Sequence, residues 1–351
     1  PFRFNARTWE LNRRKSVSAH DALGSNLIVQ TKDHTVRRVL PLENEAINEC
    51  WIADRDRFSY EALNSDERLT QPMIKQGGAW KTVDWQTALE YVANGLKQIK
   101  EQHGAQSIGA LVSPHSTLEE LFLTGQLLRG IGSDNIDWRL RHAQFNAAEG
   151  VRWLGTSIAA LSELQAVLVV GSNLRKDHPL FAQRIRQAAK KGGQVFALNA
   201  QVYDWAMPVS ASVVAAQDWA QALADVAAAV AQAKGLQAPV AAQANAEAQA
   251  IAQALLAGER KAVLLGNAAA HHAQAVELLA LANWIAEQTG ATVGYLTEAA
   301  NTVGAQWVKA QPQSNGLNAA QMVAGGLKAA ILLNTEPAFD TAAGQQALQG
   351  L

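Results

Sequence analysis

Ser18, Asp21 and Ser25 stand close together in the stretch SVSAHDALGS, and Ala53 follows in CWIADRDRF. The first stretch has the rhythm of a metal-binding loop: small residues, a histidine, then glycine before a strand-like run. Its ligand chemistry is poor. Hydroxyls and carboxylates are hard ligands, whereas iron–sulfur clusters are held by thiolates. Cys50 is the only cysteine in 351 residues, so this chain alone can hold no all-cysteine cluster and form no internal disulfide. A lone cysteine also fits a reducing compartment.

The other chemistry-bearing residues are dispersed. VVGSNLRKDHP places Gly171, Ser172 and Asn173 between a strand-like and a helix-like run. Such a turn can aim backbone N–H groups at an anion, helped by the helix dipole. It lacks the GxGxxG fingerprint, so an ordinary strand–helix connection is the first reading and a phosphate cradle the alternative. Arg175, Lys176, Arg184 and Arg186 could meet a phosphate, a partner carboxylate or only solvent. His271 and His272 are adjacent at the start of a helix-like run and point in different directions, so one metal cannot easily take both. His20, His115, His142 and His178 lie in loops with no Glu or His at ligand spacing. GxSxG, HExxH and the P-loop are all absent.

The elements around these residues read as alternating strands and helices. Residues 1–64 are polar and turn-rich. SNLIVQT and TVRRVLP flank KDH as a hairpin, with Asp33 and His34 in the tight turn. DRDRFSYEAL is expected to be a short helix capped by Asp54. Beyond residue 70, a helix capped by Asp84 ends at Gly104, and a helix opens on the Thr117/Glu120 capping box. SIGALVS and QAVLVVGS read as buried strands, QVFALN as a third strand, and KAVLLG, ATVGYL and AAILLN as further strands near alanine-rich helices; Pro179 starts the helix PLFAQRIRQAAKKGG. This alternation implies a parallel sheet covered on both faces. Residues 215–257, rich in Ala and Gln, read as two helices separated by Pro239. The net charge of −1 offers no basic field for nucleic acid. No apolar run approaches the roughly 18 residues that span a bilayer. Neither end looks like a natural terminus, and both read as cuts within a longer protein.

Ser18-x2-Asp21-x3-Ser25-x27-Ala53 is the frame C-x2-C-x3-C-x27-C with every cysteine replaced. It resembles the cubane-binding domain at the head of the molybdopterin oxidoreductase superfamily. More narrowly, RTWELNRRKSVSAHDALGSN, VRRVLPLENEAINECWIADRDRF, NSDERLTQPMI, VVGSNLRKDHPLFAQRIRQAAKKG and GYLTEAANTVGA are similar to the large peripheral-arm subunit (the G subunit) of NADH–quinone oxidoreductase, respiratory complex I. The match runs over residues 1–305. Some members hold an off-pathway cluster on four cysteines and others have lost them; this chain resembles the second kind.

The resemblance implies an α/β fold with four parts. Residues 1–64 would be a degenerate 4Fe–4S-type domain, β-rich and small. Residues 65–163 would be a first α/β segment, 164–300 a second Rossmann-like α/β domain, and 301–351 a truncated segment returning to the first. It implies that Ser18, Asp21, Ser25 and Ala53 occupy vestigial ligand positions, with Ser18, Asp21 and Ser25 bonding backbone groups that sulfur once satisfied. Gly171, Ser172 and Asn173 would be the remnant of a cofactor pocket. RLRHAQFNAAEG, where a molybdenum ligand is expected, offers no thiol, hydroxyl or Asp. No cofactor is expected in this part of the subunit, and iron–sulfur clusters are expected in a part preceding it. The implied role is a non-catalytic scaffold supporting electron transfer from NADH to quinone. Its partners would be other peripheral-arm subunits, on the cytoplasmic side of a bacterial inner membrane, with no membrane insertion and no nucleic acid. The alternatives are a module retaining a nucleotide or pterin pocket, and an active molybdopterin oxidoreductase fragment. Large apolar patches, including some of the ten Trp, are expected at the surface.

Overall fold

The structure, a computed structural model, describes residues 2, 4–146, 150 and 152–351. Its first lobe is an antiparallel sheet in the order β1 (Asn12–Val17), β2 (Asn26–Lys32) and β3 (Thr35–Pro41), followed by the short helix α1 (Asp54–Phe58). Asp33 and His34 close the β2–β3 hairpin with φ of 51° and 61°, as the KDH turn requires. Asp54 is the first residue of α1 and not its cap; Ala53 stands at the cap position without a side-chain bond. The Asp54 carboxylate still sits at the positive end of the helix. The helix is shorter than expected, because residues 59–64 tighten into a 3-10 turn.

This lobe has very little apolar core of its own. Leu27, Val39 and Ile52 are its fully buried cluster. The lobe therefore depends on polar bonding and on docking to the rest of the chain.

A hairpin of β4 (Met73–Gln76) and β5 (Ala79–Thr82) leads into α2 (Trp85–His103), whose N-cap Asp84 accepts from the Thr87 N–H at 2.8 Å. Then come β6 (Ile108–Val112), α3 (Leu118–Ile131) and the two-residue β7 (Ile136–Asp137). The Thr117/Glu120 capping box opens α3. The chain crosses to a second sheet built from β8 (Ala166–Val170), β9 (Gln194–Asn199), β10 (Ser210–Val213), β11 (Lys261–Leu265) and β12 (Thr292–Tyr295). Its helices are α4 (Leu174–Asp177), α5 (Pro179–Lys190), α6 (Trp219–Lys234), α7 (Ala246–Ala257), α8 (Asn267–Ala270) and α9 (Ala275–Thr289). Pro239 lies between α6 and α7, as the composition implies. After α10 (Thr302–Trp307) and α11 (Ala319–Val323), β13 (Ala329–Leu333) returns to pair with β6, giving the parallel order β13-β6-β7.

The second sheet, β10-β9-β8-β11-β12, is wholly parallel. Its central strands β8 and β11 are fully buried, nearly continuous apolar runs because both faces are covered, whereas the edge strand β10 is exposed. Along β8, Ala166, Leu168 and Val170 face α6, α7 and α9, while Val167 and Val169 face α5. β11 divides the same way, with Val263 and Leu265 on one face and Ala262 and Leu264 on the other. The period of two thus survives in which core each residue enters, though hydropathy alone cannot display it. No helix among the described residues is long and apolar enough to cross a membrane.

Candidate functional site

The loop joining β1 to β2 carries Ser18, Asp21 and Ser25, and all three are buried. Ser18 Oγ accepts from the His20 and Asp21 N–H groups at 3.0 and 3.1 Å. It donates to Asp56 Oδ1 at 2.6 Å. Asp21 accepts from the Leu23 N–H at 3.0 Å and from Ser25 Oγ at 3.0 Å. The Ser18 N–H closes the loop by donating to the Ser25 carbonyl at 2.8 Å. Ser18 and Asp21 thus bond backbone groups as expected, whereas Ser25 Oγ bonds the Asp21 carboxylate. Asp56, from α1, is a member that the ligand frame did not single out. Burial raises its carboxyl, an effect that the Ser18 bond only partly offsets. Ala53 is buried and contributes a methyl group. Cys50 is exposed. The four frame positions therefore supply two hydroxyls, one carboxylate and no thiolate.

The same loop anchors the lobe. Leu23 joins Leu161, Leu180, Phe181 and Ile185 in the core beside α5. Arg184, also on α5 and buried, donates to the carbonyls of Glu45 and Ile47 and pairs with Glu49 at 3.2 Å. Gln187 donates to both Glu49 oxygens at 3.0 Å. Arg55 donates to the Asp177 carbonyl, and His115 Nδ1 lies 3.1 Å from the Ala19 carbonyl. Of the basic residues with three possible roles, Arg184 and Arg175 both have carboxylate partners, Glu49 and Asp204.

Gly171, Ser172 and Asn173 lie at the C-terminal end of β8. There the strand order reverses between β8 and β11, the position where open parallel sheets bind ligands. They help line a cleft of about 770 Å³ with Asn199, Asn267, Trp138 and Glu298. Yet each amide in the turn already has a protein acceptor. Gly171 N–H donates to the Leu198 carbonyl at 2.9 Å, Ser172 N–H to Asn199 Oδ1 at 2.9 Å, and Asn173 N–H to Asp177 Oδ2 at 3.0 Å. Gly171 is required by packing: at φ 64°, a Cβ there would lie 2.6 Å from the Ala269 nitrogen. Arg141, on the cleft wall, donates to the Phe339 and Asp340 carbonyls. The backbone amides of residues 171–173 are thus engaged within the protein, while Ser172 Oγ is buried without a hydrogen-bond partner. Within RLRHAQFNAAEG, residues 147–149 lie outside the described residues.

Sequence spacing misses one cluster entirely. His142 follows β7, His271 caps the C-terminus of α8 just after β11, and Glu298 follows β12. His271 and His272 thus sit between α8 and α9, not at a helix start, since α9 begins at Ala275. The ligand atoms of His142, His271 and Glu298 lie within 4.8 Å of one another. His271 Nε2 is 2.7 Å from Glu298 Oε2, and the two imidazole centroids are 5.1 Å apart. Burial, reinforced by the nearby His271, pushes His142 down to about 3 and keeps it neutral. Burial alone would raise Glu298, but the His271 bond and charge outweigh it and hold the carboxyl below its usual range. The readable signal was position: all three residues follow parallel strands.

Residues 68–351 match the family described as molybdopterin oxidoreductase, and residues 11–61 match the NADH-ubiquinone oxidoreductase NDSU1/NuoG-like 4Fe-4S domain. The chain is 35% identical to the G subunit of NADH-quinone oxidoreductase from Rickettsia felis over 193 residues, 55% of this chain and 28% of that protein. It is 32% identical to the NADH-ubiquinone oxidoreductase 75 kDa subunit of Reclinomonas americana over 209 residues, 55% of this chain and 29% of that one. The matched stretch therefore spans under a third of these relatives. A solved structure, acetylene hydratase from Pelobacter acetylenicus, aligns with a TM-score of 0.49 at 14% identity, covering 85% of this chain and 42% of that one. By a match over most of its length, the chain belongs to the molybdopterin oxidoreductase family.

Proposed function

We propose that this chain is a scaffold portion of a complex I peripheral-arm subunit, holding no redox centre on residues 1–64. The whole subunit would take part in electron transfer from NADH to quinone through clusters borne elsewhere. The observation that carries this reading is the closed polar knot of Ser18, Asp21, Ser25 and Asp56. Two hydroxyls, a carboxylate and a methyl do not fit a 4Fe–4S cluster, and the hydroxyl and carboxylate oxygens are engaged with one another and with backbone N–H groups. The cleft at Gly171–Asn173 fits a pyrophosphate-bearing cofactor no better, because its amides and Arg141 are engaged.

Surface chemistry supports an assembly role. Trp80, Trp85, Leu89, Phe122 and Leu123 on β5, α2 and α3 are exposed. Large exposed apolar side chains favour burial against partners, here other peripheral-arm subunits on the cytoplasmic side of a bacterial inner membrane. The 770 Å³ cleft gives a second reading, a module binding a nucleotide or pterin, some weight; saturable micromolar binding of either would support it.

The test uses the assembled complex. Ala at Ser18, Asp21 and Ser25 together should lower the amount of complex recovered. NADH–quinone electron transfer per assembled complex should stay unchanged. A fall in turnover per complex, with assembly intact, would assign the loop a redox role and overturn the scaffold reading.

A further inference from the structure

We infer that His142, His271 and Glu298 form a binding site for one divalent first-row transition ion, open to the 770 Å³ cleft. Two imidazoles and a carboxylate match the donor set such ions take with coordination positions left for water. The three ligand atoms already converge within 4.8 Å. Bonds of about 2.0–2.2 Å from a central ion place cis ligand atoms about 3 Å apart. The 2.7 Å His271–Glu298 contact must widen by a few tenths of an ångström, and the hydrogen between them must leave Nε2.

Three features favour an ion over a plain His–Glu pair. First, neither ring nitrogen of His142 has a hydrogen-bond partner among the described residues, although the half-buried ring stands edge-on to Trp138 at 5.5 Å between centroids. An imidazole nitrogen with a spare lone pair is a ready ligand. Second, the cluster lines a pocket of about 60 Å³, enough for an ion and a water or two. Third, two nearby arginines are engaged elsewhere, Arg139 with Asp137 and Arg141 with two carbonyls. His142 follows a strand of the first parallel sheet, whereas His271 and Glu298 follow strands of the second. The ion would tie the two sheets together.

The experiment titrates the chelator-stripped chain with Co2+ and then Zn2+, using Cys50→Ser to remove the exposed thiol. The expected result is one equivalent of Co2+ with the visible absorption of a low-coordinate site, displaced by Zn2+, and a rise in Tm on Zn2+ addition. His142→Ala and Glu298→Gln should each weaken binding about 10–100-fold or more and abolish the rise in Tm. No stoichiometric binding, or equal affinity in both variants, overturns the proposal. If a variant fails to fold, anomalous scattering at the zinc edge from a crystal of the zinc-soaked chain decides. A peak between the three side chains supports the site, and its absence there refutes it.

Discussion

Replacing Ser18 by Ala removes three hydrogen bonds at once. Two backbone amides, of His20 and Asp21, lose their acceptor, and Asp56 loses its 2.6 Å donor. Asp56 Oδ2 has no hydrogen-bond partner, so the variant would leave both carboxylate oxygens unpartnered in a buried site. The amides cost about 1 kcal/mol each, and the bond to the carboxylate about 1.5–3 kcal/mol when it is ionised. The expected loss is about 3–5 kcal/mol, with protonation of Asp56 setting the lower end. Urea unfolding gives the loss, read alongside amide exchange at His20 and Asp21. Exposed Ser16 on β1, replaced by Ala, serves as the control and should change stability by less than about 0.5 kcal/mol. A double-mutant cycle with Asp56→Ala should return about 1.5–3 kcal/mol of coupling. If Ser18→Ala costs no more than the control and the cycle gives no coupling, the knot does not hold this lobe together.

Arg184→Ala should release the lobe from α5. It strips a buried guanidinium from Glu49 and two carbonyls, so a loss of about 3–5 kcal/mol is expected. Limited proteolysis should then cut residues 41–54 faster, and unchanged protection would count against docking through α5. His178 gives a pH dependence. Burial pushes it down to about 3 in the folded chain, while the unfolded side chain titrates near 6.5. The folded state therefore binds fewer protons, so this stability is present above pH 6.5 and is lost as pH falls toward 3. The slope approaches about 1.4 kcal/mol per pH unit in that window. Denaturation midpoints at pH 7, 6 and 5 should show it, and His178→Gln should flatten it. An equal slope in the variant would refute the assignment.

The parallel sheets were legible because their main strands are short apolar runs bounded by turns. The helices at Asp84, Thr117 and Pro179 were legible because their caps are local chemistry. Ser18, Asp21 and Ser25 were legible as one group because they lie on one short loop, where sequence neighbours are also neighbours in space. Asp56 was not, because a carboxylate on α1 that reaches back 38 residues leaves no spacing signature. β7 and β10, of two and four residues, are too short to carry a period. The His142–His271–Glu298 cluster was hidden for a topological reason. Its members sit more than 100 residues apart in the case of His142 and His271, and meet because two sheets present their strand ends to one cleft. Spacing rules find ligands on one helix or loop and cannot find those that only tertiary packing assembles.

Anaerobic reconstitution with ferrous iron and sulfide tests the central claim most directly. After desalting, the chain should be colourless, with iron no higher than in a variant carrying Ala at Ser18, Asp21 and Ser25. A brown protein with a broad visible absorption and about four irons per chain would contradict it, showing that the oxygen-lined loop still holds a cluster.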